Sequence, residues 1–330
     1  MRRLVNVARV LVTGGAGYIG SHVVAALEER GNAVLTYDNL STGHRDAVLA
    51  GDFVAGDLAD AALLDRTLRD FRPDAVMHFA AFIEVGESVR DPLKYYHNNG
   101  ANAINLLRSM ERAGVHVFIF SSTAAVYGNP ATALIAEGHA LNPINPYGQA
   151  KAFVEQVLLD ASLAQKLRYV SLRYFNAAGA DPRGRLGERH DPESHLIPLA
   201  LQAARGKRRR LSIYGGDYPT PDGTCIRDFI HVMDLAEAHL LSLEHLMAGG
   251  ASDVFNCGYG HGYSVREVIQ AAGTVTGTAI PAEVVPRRPG DAAVLVADSS
   301  RLKAKLNWKP RYDDLPFIIR TAWEWEQTQR

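Results

Sequence analysis

The sequence predicts an α/β fold, a doubly wound parallel sheet with a smaller α/β substrate-binding domain, on three observations. Over the first half, short runs rich in β-branched residues alternate with longer stretches of helical apolar spacing, the pattern of repeated strand–helix–strand units. Most of those runs are apolar throughout, as strands covered by helices on both faces are. A chain of 330 residues calls for about two domains, and beyond residue 176 the texture changes: glycine, proline and charged residues crowd 177–194 and 215–223. These observations place one domain at residues 1–176 and a second mainly at 177–330, with parts of about 230–260 returning to the first.

Strands are expected at residues 10–13, 33–37, 53–55, 75–79, 117–121 and 169–172. The first helix starts near Tyr18 and stops before Gly31, which is placed for a left-handed cap. Pro92 suits the first turn of a helix running to about Arg112, before Gly114. A third long helix covers 147–165. Shorter helices follow at 195–205, 233–247, 265–274 and 316–327. The run Lys207-Arg208-Arg209-Arg210 follows Gly206 at the end of a helical pattern and reads as a solvated helix end, where positive charge suits the dipole.

Composition narrows the function. With 47% hydrophobic and 22% charged residues the chain is globular, neither disordered nor fibrous. Its 35 Lys and Arg balance 36 Asp and Glu, which gives no bulk field for nucleic acid or a membrane surface. The first nine residues hold Arg2, Arg3 and Arg9 and no signal-like apolar run, and no stretch approaches the length of a membrane span. Cys225 and Cys257, the only two cysteines, form no CxxC motif and suit a reducing compartment. A cytoplasmic location is expected.

Residues 10–20 read V-L-V-T-G-G-A-G-Y-I-G, so Gly15, Gly17 and Gly20 satisfy GxGxxG directly after a strand and at the opening of a helix. Glycines there permit a tight turn and close backbone approach, so a pyrophosphate can sit on the helix N-terminus, as in the Rossmann type of sheet. The second strand ends at Asp38, 18 residues after Gly20, a carboxylate placed for a ribose 2′-hydroxyl and repulsive to a 2′-phosphate. Asn39 follows it instead of an arginine, so NAD is expected rather than NADP. Asp57 closes the third strand, either to accept from an adenine amino group or simply to end the strand.

Tyr147 and Lys151 lie four residues apart, on one face of the expected helix. A phenol near pKa 10 is ionised to about one part in a thousand at neutral pH, and bringing it to about 7 takes roughly 4 kcal/mol of phenolate stabilisation. A nearby lysine and a nicotinamide cation are candidate sources. Ser121-Ser122-Thr123 ends the fifth strand at the carboxyl edge of the sheet, where ligands bind in open α/β folds and a hydroxyl can reach a substrate oxygen.

These residues resemble the extended short-chain dehydrogenase/reductases, and within them the members that act on nucleotide sugars. The resemblance runs through nearly the whole chain: T-G-G-A-G-Y-I-G-S-H (13–22), Y-D-N-L (37–40), H-F-A-A (78–81), V-G-E-S-V (85–89), F-S-S-T-A-A-V-Y-G (120–128), N-P-Y-G-Q-A-K (145–151), L-R-Y-F-N (172–176), P-T-P-D-G-T-C-I-R-D-F-I-H-V-M-D-L-A (219–236) and R-P-G-D (288–291).

It implies redox-neutral epimerisation at C4 of a UDP-hexose through a transient 4-keto sugar, with tightly bound NAD. Tyr147 would be the catalytic base and acid, Lys151 its activator and ribose anchor, and Thr123 the hydroxyl that orients the sugar oxygen. Gly14, Gly17, Tyr18, Ile19, Gly20, Asp38, Asn39, Asp57, Leu58, Phe79, Ala80, Ala81, Asn98, Ser121, Lys151 and Tyr174 match NAD contacts. Asn176, His195, Leu196, Tyr214, Arg227, Arg288 and Asp291 match positions that hold the UDP-sugar, with Tyr214 beside the uracil, and Leu295 matches a gate over the sugar's 2′-substituent. Ile83 stands where some members have a lysine, and His195 where some have an asparagine. A homodimer built on helices 92–112 and 147–165 is implied as well.

UDP-N-acetylglucosamine and the UDP-xylose/UDP-arabinose pair share the same 4-hydroxyl chemistry and remain alternatives to UDP-glucose/UDP-galactose. A 4,6-dehydratase is disfavoured because such enzymes typically carry Asp-Glu after the threonine, where Ala124-Ala125 stand here. A non-catalytic NAD sensor would not need the Tyr147/Lys151 pair. The histidines, His190 and His195 among them, lie in or beside polar loops without a closed set of ligand spacings, so no metal is expected. Trp308, Trp323 and Trp325 are expected to pack the C-terminal helix.

Overall fold

The computed structural model describes residues 7–130, 132–164, 166–288 and 291–329. The chain divides into two units, one of residues 1–122, 149–172 and 236–254, the other of 123–148, 173–235 and 255–330. This partition differs from a division at residue 176: it assigns 123–148 to the second unit, and it passes through one continuous helix, Pro146–Ala164. Gln165, the expected end of that helix, lies outside the described residues, as do Pro289 and Gly290 of the R-P-G-D motif.

The first unit is organised by a seven-stranded sheet in the order Asp52–Ala55, Ala33–Asp38, Arg9–Thr13, Ala75–His78, Val117–Ser121, Arg168–Tyr174, Asp253–Cys257. The first five junctions are parallel. The order turns back at the first strand, whose two neighbours are the second and the fourth, and in a sheet of this kind the crevice at that reversal receives ligand. Leu11, Val76 and Phe118 are fully buried, as central strands with two covered faces require. The first helix, Tyr18–Glu29, ends as expected before Gly31, whose φ is +82°.

Besides the strands of the smaller sheets, none of which the sequence reading includes, four departures concern the large sheet and its helices. Helix Ala61–Phe71 was not foreseen, although Asp60 caps it by accepting from Leu63 N, Leu64, Thr67 and Leu68 bury one face, and Pro73 follows it. A one-and-a-half-turn helix, Val85–Arg90, is also new. The expected helix 92–112 is three pieces: Pro92–Tyr95, a π-helical turn Tyr96–Ala101, and Asn102–Ala113 ending on Gly114 at φ +70°. Strand Asp253–Cys257 completes the sheet edge beside Arg168–Tyr174.

The second unit carries smaller sheets. One, in the order Tyr263–Ser264, Ile226–Arg227, Val294–Ala297, Leu134–Ile135, pairs Arg227 with Leu295 in parallel register. In another, Leu211–Tyr214 runs parallel to Ala282–Val285 with Tyr214 opposite Val285. Asp228, fully buried, accepts from Tyr259 N (2.9 Å), Gly260 N (3.0 Å) and Ala297 N (3.2 Å), fixing the strand that presents Arg227. Trp308, 2% exposed, donates its indole N–H to Asp234 O at 3.0 Å.

Candidate active site

The glycine turn is shaped by backbone packing. Gly14 has φ +74°, and a Cβ there would stand 2.4 Å from Ala80 N; at Gly20 it would stand 2.2 Å from Gly14 O. A side chain at Gly14 would push apart the turn and the segment after the fourth strand, where Phe79 N and Ala80 N both donate to Thr13 O, and one at Gly20 would push the helix away from the turn itself. Gly17, by contrast, has only Gly14 O within reach, at 3.4 Å, so its outer side is open. Asp38, 8% exposed, accepts from Ala16 N at 3.0 Å and Leu40 N at 2.8 Å. An ionised carboxylate offers about four lone-pair sites, so two remain for hydroxyl donors. Asp57 accepts from Asn39 Nδ2 at 2.7 Å and from Ala59 N at 2.8 Å, so two of the expected cofactor positions, Asn39 and Asp57, are tied to one another.

Asn98 lies on the π-helical turn, a feature frequent at functional sites. Its Nδ2 donates to Asn99 Oδ1, and Asn99 in turn bonds both N and O of Phe82 at 2.9 Å. The extra residue of the π turn therefore holds the stretch after the fourth strand, which includes Ala81 and Ile83.

The reactive side chains are buried. Lys151, 2% exposed, donates from Nζ to Ser121 O at 2.8 Å, and burial draws its ammonium down to about 7, against a smaller upward pull from Glu155. His78, also buried, is pushed down to about 3 by burial and by the Lys151 charge; its Nδ1 meets Thr13 Oγ1 at 2.7 Å, so it is neutral. Tyr147 lies one turn before Lys151 on helix Pro146–Ala164. Burial raises its phenol above the ordinary value, and a hydrogen bond with Thr123 pulls the other way. Thr123 is itself fixed by Ala125 N, which donates to its Oγ1 at 3.1 Å. Gly148 brings the first turn of the helix against this threonine turn: a Cβ there would meet Ala125 O at 2.6 Å. Burial thus works against the phenolate, and activation calls for positive charge beside the ring.

In the second unit Arg227, Arg288 and Asp291 come together: Arg227 lies 3.6 Å and Arg288 3.2 Å from the Asp291 carboxylate. The Arg288 guanidinium covers the Tyr214 ring at 4.4 Å, and Tyr214 is 40% exposed. Parallel register puts Leu295, half-buried, on the same face as Arg227. Asn176 donates its backbone N–H to Asp228 O at 2.9 Å, next to Arg227 in sequence. Arg287, not foreseen, stacks on Tyr218 at 4.1 Å and binds Asp217 at 2.7 Å; the basic pair that opens with it, running into R-P-G-D, was its only signal.

His195 and Leu196 open helix Leu196–Ala204, His195 as its N-cap. His190 and His195 lie in and beside a loop as expected, but they face Glu188 and Glu193, a grouping the expectation of no closed ligand set did not include. Burial works against charge here, but the carboxylates hold His195 protonated well above its ordinary value, and the two imidazoles hold Glu188 down to about 2. The E-x-H-x-x-E-x-H spacing was the missed signal.

Residues 10–258 match the family model described as the NAD dependent epimerase/dehydratase family. The chain belongs to the NAD-dependent epimerase/dehydratase family. Among its relatives, UDP-glucose 4-epimerase of Azospirillum brasilense is 54% identical over 97% of this chain and 92% of its own. The crystal structure of UDP-glucose 4-epimerase from Brucella ovis in complex with NAD superposes with a TM-score of 0.93 at 52% identity, covering 96% of this chain and 97% of that one. A third family member, the UDP-Glc/GlcNAc 4-epimerase of Campylobacter jejuni, is similar at 46% identity and a TM-score of 0.86, with coverage of 98% and 100%.

Proposed function

We propose that this epimerase/dehydratase-family chain interconverts UDP-glucose and UDP-galactose at C4 with one tightly held NAD. The observation that carries this reading is Tyr147: buried, hydrogen-bonded to Thr123, and one helical turn from Lys151.

The residues of the first unit suit the dinucleotide. Gly14, Gly17 and Gly20 let backbone approach the pyrophosphate at the start of helix Tyr18–Glu29, beside Tyr18 and Ile19. Asp38 and Asn39 take the adenosine ribose, Asp57 and Leu58 the adenine, and Phe79, Ala80, Ala81, Asn98, Ser121 and Lys151, with Tyr174 of the second unit, the remainder. NAD, when bound, would supply a hydride acceptor and donor at C4, so that the sugar is neither oxidised nor reduced over the cycle.

Tyr147 removes the proton from the sugar 4′-hydroxyl and gives it back after the 4-keto sugar has turned over. Thr123 holds that oxygen. Lys151, anchored on Ser121 O, stabilises the phenolate when charged. In the second unit, Arg227 and Arg288 face the diphosphate, Asp291 accepts from hydroxyl donors, Tyr214 stacks on the uracil, and Asn176, His195 and Leu196 line the sugar-nucleotide.

A homodimer is part of the same proposal. Val89, Leu93 and Tyr96, with Phe153, Leu159 and Leu163 on helix Pro146–Ala164, expose apolar surface, Leu93 to 78% and Leu163 to 79%. So is a cytoplasmic location, in keeping with Cys225 and Cys257 as free, buried thiols. Among the described residues no helix is long and apolar enough to cross a membrane.

The test is to denature the purified chain and assay the released nucleotide alongside turnover without added cofactor. One NAD per chain and full turnover are expected; NADP, or a need for a second redox substrate, would overturn the reading.

A further inference from the structure

The geometry points to a second ligand site in this chain: Glu188, His190, Glu193 and His195 bind one divalent transition-metal ion of the zinc class. One ligand atom from each residue falls within a group no more than 4.8 Å across. His195 Nδ1 lies 2.8 Å from Glu188 Oε1 and 3.1 Å from Glu193 Oε1, and His190 Nδ1 lies 3.1 Å from Glu188 Oε1 and 3.8 Å from Glu193 Oε2. Four ligands about 2.0–2.1 Å from a tetrahedral centre are about 3.3 Å apart. These four separations lie within about half an ångström of that edge length, while the widest, up to 4.8 Å, must close by about 1.5 Å for all four donors to bind one ion.

The donors are already set in place. Glu193 Oε1 accepts from Ser194 N at 2.7 Å and from His195 N at 2.8 Å, which fixes its carboxylate. The Trp325 indole donates to Glu188 O at 3.0 Å, and Gly187 lies so close to that ring that a Cβ would stand 2.2 Å from it. The side chains of Glu188 and Glu193 are only 7% and 5% exposed. Two carboxylates buried side by side require compensating positive charge; His195 Nδ1, set between them, carries it as an imidazolium in the absence of an ion, and a dication that displaces that proton supplies two units at one point.

The donor set selects the ion. Two imidazole nitrogens and two carboxylate oxygens in a tetrahedral array suit Zn²⁺ or Co²⁺, whereas Ca²⁺ and Mg²⁺ need six or more oxygens. Such an ion would fasten residues 188–195 ahead of helix Leu196–Ala204. It would occupy Nδ1 of His195, leaving Nε2–H as the ring's donor. No part in the C4 chemistry is assigned to it.

The experiment uses the untagged full chain, stripped with a chelator and titrated with Co²⁺ and separately with Zn²⁺, with Mg²⁺ in excess as a control. One equivalent of Co²⁺ should bind with the intense visible absorption of a tetrahedral site, and Zn²⁺ should displace it. His190→Ala should weaken binding by at least about 100-fold and abolish that absorption, while His190→Cys, which restores a ligand atom, should recover both. His245→Ala, far along the chain from the four ligands, is the control and should bind as the parent does. Uptake below stoichiometric, an octahedral spectrum, or a His190→Ala protein that binds like the parent would overturn the proposal.

Discussion

Lys151 and Arg227 are both cations with little exposed surface, yet the two units that hold them treat charge in opposite ways. Around Lys151 the first unit offers a backbone carbonyl, the Phe120 ring at 4.9 Å and neutral His78, and the ammonium is drawn down to about 7. Around Arg227 the second unit offers Asp291, which is shared with Arg288. Guanidinium stays charged wherever it is placed, whereas an ammonium yields its proton when buried. Recognition of a diphosphate needs permanent charge. Acid–base chemistry needs groups whose charge changes within the working pH range, and burial has brought Lys151 there. Burial raises Tyr147 as well, so in the proposed reaction its activation would draw on positive charge from Lys151 in its ammonium form and from the nicotinamide.

The contrast predicts a graded series of effects. Tyr147→Phe removes the proton acceptor and should lower kcat by about 100- to 10,000-fold, the range for a positioned general base. UDP affinity, proposed to rest on the arginines, should stay within about twofold; calorimetry with UDP and a coupled assay check both halves, and a parallel loss of affinity would mean that Tyr147 also serves recognition.

Lys151→Met should make the protein less active and more stable. A lysine whose folded pKa lies below its unfolded value costs stability wherever the unfolded chain is protonated. That cost is fully present below about pH 7 and is relieved as pH rises from about 7 to the ordinary 10.5. The gain at pH 7 should therefore be about 2–4 kcal/mol, less than the full shift because Ser121 O loses its donor. Urea midpoints at pH 7 and pH 10 test it; a gain that grows with pH has the wrong sign.

Arg227→Ala should weaken UDP binding by about 30-fold or more, the usual result of truncating one partner of a buried charge pair, with a much smaller effect on the pH profile of kcat. A shifted profile would mean that Arg227 also sets the charge of the chemical groups.

The smallest effect concerns Leu295, register partner of Arg227. Leu295→Tyr should raise the preference for UDP-glucose over UDP-N-acetylglucosamine by about tenfold, since one pocket contact is worth about 1–3 kcal/mol. Specificity constants for both sugars in both proteins measure it, and an unchanged ratio would remove the gate.

How far the sequence was legible follows from what each feature depends on. The strands of the five parallel junctions, the glycine turn and Asp38 depend on local pattern, and all were readable. Helix Ala61–Phe71 has its cap, its apolar face and its terminating proline in plain view, and it was overlooked all the same. Strand Asp253–Cys257 is different, for its neighbour Arg168–Tyr174 lies some 80 residues earlier and its own Asp, Asn and Cys dilute the apolar signal. The π turn was hidden because it keeps helical spacing and shows itself only through Asn99 reaching Phe82. At the site, Tyr147 and Lys151 could be named from spacing, but the direction in which burial moves them could not, because burial is a property of everything packed around them.

The most direct measurement follows the hydrogen itself. UDP-galactose carrying deuterium at C4 is incubated with the purified chain in ordinary water, without added cofactor, and the UDP-glucose formed is examined by mass spectrometry and NMR. Removal and return of one hydrogen at C4, with Tyr147 handling only the hydroxyl proton, requires the deuterium to be retained at C4 of the product. Loss of the label to solvent would show that C4 is inverted by proton exchange, and would contradict the account.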